Sequence, residues 1–114
     1  MEKPSADLVA LYEELIANRP IDSRMMFGSP CGFINANMQS GVHAQTMFVR
    51  LGEDDRAKFL RQPNTSLFEP MPGRPMKDYV AFVEPLEEDL ANLEKWLDTS
   101  VSYTLTLPPK VKKK

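Results

Sequence analysis

One histidine and one cysteine, His43 and Cys31, are the residues of this chain best suited to covalent chemistry. On adjacent strands they could meet as the thiolate–imidazole pair that activates a sulfur nucleophile. Two such residues fall short of a structural zinc site, which takes about four ligands. The blander reading is preferred: Cys31 as a small buried hydrophobe and His43 as a strand residue near a turn. Four cations, Arg24, Arg50, Arg74 and Lys77, form a second set. Brought together they would hold a small anion through charge-assisted hydrogen bonds. The competing role is structural, with Arg74 paired to an acid and pinning the segment around it. The acidic runs Glu53-Asp54-Asp55 and Glu87-Glu88-Asp89 suit helix N-termini, where the macrodipole favours negative charge. General acid–base work would need two carboxylates converging on one cleft. The sequence holds no Gly-x-Ser-x-Gly, no phosphate loop, no His-Glu-x-x-His and no dinucleotide fingerprint. The expectation is therefore a non-enzymatic protein with no cofactor and no metal.

Composition narrows the class further. A length of 114 residues is one domain, and 42% hydrophobic residues with sixteen acids against fourteen bases describe an ordinary folded one. No apolar run approaches the ~20 residues of a membrane helix. The start, Met1-Glu2-Lys3-Pro4, leads into an amphipathic pattern with no signal-peptide core. A single cysteine allows no internal disulfide and fits a reducing compartment, so the cytoplasm is the expected location. Four of the fourteen bases, Lys110, Lys112, Lys113 and Lys114, lie in the last five residues; without them ten bases face sixteen acids. A body that acidic is poorly matched to a phosphate backbone, and any nucleic-acid contact is expected to be weak or indirect, through the tail.

The elements that must position these residues emerge from periodicity. Leu8, Leu11, Tyr12, Leu15 and Ile16 repeat at three- and four-residue steps, predicting a helix over 5–18 with Ser5 as N-cap and Pro20 as its stop. Short runs 24–27, 31–34, 38–43 and 47–51 read as strands of an antiparallel meander, with Ser29-Pro30 a break and Asn35-Ala36-Asn37 a turn that tolerates positive φ. Gly28, Gly32 and Gly41 suggest bulges or close backbone approach. A short helix is predicted over 53–60. A central strand is predicted over Tyr79–Val83, apolar on both faces, its second face covered within the chain or only in a dimer. A last helix is predicted from about Leu86 to Leu105, carrying Leu90, Leu93, Trp96, Leu97 and Val101.

Between the short helix and the central strand lies Phe68-Glu69-Pro70-Met71-Pro72-Gly73-Arg74-Pro75-Met76-Lys77-Asp78-Tyr79. Three prolines fix their own φ and push the preceding residues away from helix. The segment is expected to be an ordered strap, its apolar side chains lying on the sheet. Seven methionines, Met25, Met26, Met38, Met47, Met71 and Met76 among them, suit an adaptable core or a partner-binding surface, and the core is the preferred reading. Met71, Met76 and Tyr79 on the strap are the candidate partner surface.

Taken together these pieces resemble the N-terminal domain of the TfoX/Sxy competence regulators, as a short stand-alone member. The residues that carry the resemblance are Arg24-Met25-Met26-Phe27-Gly28, Gly32-Phe33, Asn37-Met38 with Gly41-Val42-His43, Phe48-Val49-Arg50-Leu51, and Phe68 to Lys77 with Tyr79. Trp96 and Leu107-Pro108-Pro109-Lys110 complete it. Two positions depart from the pattern: Ala36, where such hairpins often have glycine, and Gln39, where an aromatic or apolar residue is common. The resemblance implies a two-layer α+β domain of secretion-chaperone-like type, with an antiparallel sheet of five to six strands and N-terminal, short middle and long C-terminal helices. The domain would span residues 1–107, with 108–114 a basic tail. Full-length members act with a cyclic-AMP receptor-type transcription factor and carry a C-terminal helical domain with no counterpart in these residues. The functional expectation is accordingly a regulatory or protein-interaction module, its partner a protein and a homodimer included. The alternatives are an anion-binding domain using Arg24, Arg50, Arg74 and Lys77, or a DNA-associated accessory factor.

Overall fold

A computed structural model of the chain describes residues 3–26, 28–71, 73–83 and 90–109. Among them the elements run α1 (Ala6–Ile16), β1 (Asp22–Met26), β2 (Ser29–Ile34), β3 (Asn37–His43), β4 (Thr46–Arg50), α2 (Glu53–Phe59), β5 (Thr65–Leu67), β6 (Tyr79–Phe82) and α3 (Leu90–Leu105). The strands form one antiparallel sheet in the order β1-β2-β3-β4-β6-β5. The first four are the predicted meander. The fold is two-layer α+β.

Helix α1 begins as its cap residue dictates. The Ser5 hydroxyl accepts the Leu8 N–H at 3.1 Å, satisfying one of the four donors a helix start leaves open. Its apolar stripe lies against one face of the sheet with α2 and α3. Tyr12, Leu15, Val42, Met47, Val49, Leu51, Phe59, Val80 and Leu97 form the main core there. Phe59 of α2 stands edge-on to Phe82 and Trp96, joining α2 to both the sheet and α3. An ion pair of 2.6 Å links Arg19, just past the end of α1, to Asp98 of α3, but Asp98 is 62% exposed, so its contribution is at most about 1 kcal/mol. The start expected near Leu86, with Glu87, Glu88 and Asp89 in the first turn, lies outside the described residues, as do Phe27, Pro72 and the lysine tail.

The opposite face of the sheet has its own smaller core of Cys31, Phe48, Phe68, Tyr79 and Ala81, with Phe33, Met38 and Met76 packed against it. Phe68 and Tyr79 are the two ends of the strap. Their backbones are joined, Phe68 N–H to Tyr79 C=O at 3.2 Å, and Met76 N–H donates to Phe68 C=O at 2.8 Å. The strap is anchored at its base while Met71, Gly73 and Arg74 at its tip are exposed. All four residues of β6 are buried, so the second face of this strand is covered by its own chain.

Two features differ from expectation. Pro30 lies within β2, where a break was predicted; Ser29 and Pro30 pair only with β1, so the missing proline N–H costs no bond to β3. The three-residue β5 was not anticipated. It comes after a left-handed Asn64 (φ 59°) and exists through its pairing with β6, Thr65 opposite Phe82 and Leu67 opposite Val80.

The bulge suggested by the glycines occurs where the β2–β3 register shifts between Gly32 and Phe33, leaving Gln39 as the extra residue on β3. Gln39 and Ser40 are consequently both fully buried. The Tyr12 hydroxyl lies 2.7 Å from Ser40 Oγ, Ser40 Oγ donates to Gln39 Oε1 at 2.6 Å, and Gln39 Nε2 donates to Ser100 Oγ at 2.9 Å. Ser100 Oγ donates back to the Gln39 carbonyl. With the Ser40 proton so committed, Tyr12 is the donor to Ser40, and the chain of bonds ties α1, the bulge and α3 with each member paired. The two ends of the described chain are tied to the two ends of β3. Gln45 Nε2 donates to Lys3 C=O and its Oε1 accepts the Ser5 N–H, while Asn37 Nδ2 donates to Pro108 C=O.

Candidate functional site

The four cations lie on three separate elements. Arg50, near the end of β4, places its guanidinium 5.5 Å from the centre of the Tyr79 ring and its Nη2 3.3 Å from Asp78. Arg56 of α2 reaches the other oxygen of Asp78 at 3.4 Å and donates to Leu51 C=O at 2.6 Å. Asp78 C=O in turn accepts the Leu51 N–H. Two half-buried arginines on one carboxylate thus clasp the C-terminal end of the strap to β4 and α2. This is the pinning role that the sequence suggested for Arg74. Arg74 and Lys77 are exposed on the strap, and Arg24 of β1 lies over the Phe33 ring, 5.2 Å from its centre.

Cys31 and His43 both face the second core but meet aromatic rings. Cys31 stands opposite Gly41, over which the Phe48 ring lies: a methyl group on Gly41 would sit 2.6 Å from Phe48 Cζ and 3.0 Å from Cys31 Sγ. His43 meets the edge of Phe68 at 5.6 Å between ring centres. Burial pushes the Cys31 thiol above its ordinary pKa, the reverse of what a nucleophilic thiolate requires. An open groove of about 380 Å³ runs between the β3–β4 turn and β5, lined by His43, Thr46, Ser66, Leu67, Phe68 and Glu69 among others. None of the four cations lines it. Glu53, Asp54 and Asp55 occupy the first turn of α2, whose N-cap, Gly52, makes no side-chain cap bond, so the helix dipole accounts for them. Among the described residues no group of three or more His, Cys, Asp or Glu could hold a metal ion.

The partner residues also separate. Met71 is 61% exposed at the strap tip, Met76 is half-buried, and Tyr79 is interior, its hydroxyl donating to Met38 C=O at 2.9 Å. Tyr79 therefore holds the strap to β3 and presents little surface to a partner. Met25 and Met26, read from sequence as core, are 66% and 38% exposed. The reason is their place on β1, one of the two outermost strands, in which all five residues are exposed. β1 combines an unpaired backbone edge, two adaptable apolar side chains, and the charges Asp22 and Arg24. The sequence signal for it is the absence of any apolar alternation across Asp22-Ser23-Arg24.

A family model described as the TfoX N-terminal domain matches residues 13–103, taking in all six strands and α2. The chain belongs to the TfoX N-terminal domain family. No curated protein and no solved structure matches it. At the level of the family, this TfoX N-terminal domain is a regulatory or interaction module linked to competence. Among its described residues no helix is long and apolar enough to cross a membrane.

Proposed function

We propose that this TfoX N-terminal domain is a non-enzymatic, cytoplasmic protein-interaction module of a regulatory system, and that it contacts its partner along β1. One observation carries the reading: β1 is an edge strand exposed at all five positions, whereas β2, β3, β4 and β6 are largely buried beneath the chain's own helices and strap. An exposed edge offers a row of free N–H and C=O groups, and another strand can add to it with main-chain bonds for affinity and alternate side chains for selectivity. Met25 and Met26 would supply the adaptable apolar contact. Capture from native lysate tests this, with the wild-type domain and a Met25→Lys/Met26→Lys variant as baits. Partners retained by the wild type should be lost with the variant while circular dichroism stays unchanged. Equal recovery on both baits would remove β1 from the account.

A further inference from the structure

We infer that the partner strand is β1 of a second copy of this chain, paired antiparallel in the register that sets Asp22 opposite Arg24 of the other copy. The inference rests on β1 being the contact edge, and it names the occupant.

A two-fold axis perpendicular to the sheet joins two β1 strands into one continuous sheet with the helices of both copies on the same side. Opposed residues then share a face, so the permitted registers step by two residues. The faces are set by the pairing with β2: Arg24 is opposite Cys31 on the second-core side, and Ser23 is opposite Gly32 on the helix side. Asp22 lies on the same side as Arg24. One register puts Arg24 opposite Arg24, and the register on the other side of the favoured one puts Asp22 opposite Asp22. Like charges directly opposed disfavour both. The register between them opposes Asp22 to Arg24 twice, by symmetry, and Ser23 to Ser23.

The side chains available fit this arrangement. Among the described residues neither Asp22 nor Arg24 has an ion-pair partner within its own chain. Arg24 lies over Phe33 of β2, on the inner side of β1, and in the pair its guanidinium turns to the free edge to meet Asp22 of the other copy. On the helix side the same register sets Ile21 opposite Met25. Ile21 packs against the main core, so Met25, 66% exposed in one copy, gains an apolar neighbour anchored to that core. The self-complementarity of this edge, Asp22 to Arg24 in charge and Ile21 to Met25 in apolar contact, selects a second copy over an unrelated strand.

The test is a charge exchange, read by light scattering and sedimentation over a concentration series. The wild type is expected to dimerise. Asp22→Arg and Arg24→Glu, each creating two repelling pairs, should raise the dimer dissociation constant about tenfold or more. The double exchange Asp22→Arg/Arg24→Glu should return it to near the wild-type value, with circular dichroism confirming the fold of all four proteins. A wild type that is monomeric throughout, or a double exchange no better than the single variants, overturns the inference. The two readings fail separately. A monomer that still takes a Met25/Met26-dependent partner from lysate loses only the second copy, while capture indifferent to those methionines removes the edge itself.

Discussion

The Phe68 ring lies flat on Phe48, with ring centres 4.1 Å apart and planes 14° from parallel. This stack fastens the N-terminal end of the proline-rich strap to the sheet, because Phe68 is the residue at which the strap leaves β5. Replacing Phe68 by alanine removes a buried aromatic from the second core and leaves a cavity between β4 and the strap. A loss of about 3–5 kcal/mol in urea unfolding is expected. Trypsin should also cleave after Lys77 faster than in the wild type, since the strap base would no longer be held.

Gly41 is where the Phe48 ring crosses the backbone of β3. A methyl group there would meet Phe48 Cζ at 2.6 Å and Cys31 Sγ at 3.0 Å, and the ring cannot retreat because Phe68 lies on it. Gly41→Ala should cost about 1–3 kcal/mol by overpacking. Gly41→Ala combined with Phe48→Leu should cost less than the two changes added, a coupling that a double-mutant cycle measures.

The β2–β3 turn carries Asn35 at φ 51° and Ala36 at φ 64°, both left-handed. Asparagine tolerates this region; for alanine the left-handed conformation costs about 1–2 kcal/mol. Glycine escapes that cost but gives the unfolded chain more freedom, which takes back part of the gain. Ala36→Gly should therefore stabilise by about 0.5–1 kcal/mol, seen as a rise in melting temperature. A fall would show that the turn is not strained.

Burial raises the pKa of the Tyr12 phenol well above its ordinary value, and burial raises those of Tyr79 and Cys31 in the same direction. Each group keeps its proton in the native state at a pH where the unfolded chain has lost it. Their contribution is whole below the unfolded values, about 8.5 for cysteine and about 10 for tyrosine, and is lost as the pH climbs toward the folded ones. Unfolding free energy should thus decline above about pH 9 and more steeply above about pH 10. Tyr12→Phe should flatten the upper part of that decline, and at neutral pH cost about 1 kcal/mol for the bond to Ser40.

Much of the fold is readable from local pattern, since α1, the meander and the strap are each specified by residues close together in the chain. Ser5 caps the helix that begins beside it, and the prolines stiffen their own segment. The features that eluded the sequence depend on distant partners. β5 is too short for any period and needs β6 to exist. Simple alternation would put Gln39 and Ser40 on opposite faces; the bulge turns both inward, toward Tyr12 and Ser100. Arg50 meets Asp78 from 28 residues away. Met25 and Met26 look like core residues until the strand order shows β1 outermost, with β6 and β5 added at the other edge.

The two ends of the described chain are held at opposite ends of one strand. Lys3 and Ser5 are tied through Gln45 to the turn after β3, and Pro108 is tied to Asn37, the first residue of that strand. Seven strand residues separate those anchors by roughly 20 Å. The described chain thus begins and finishes at opposite ends of β3, and β2 lies between that strand and β1.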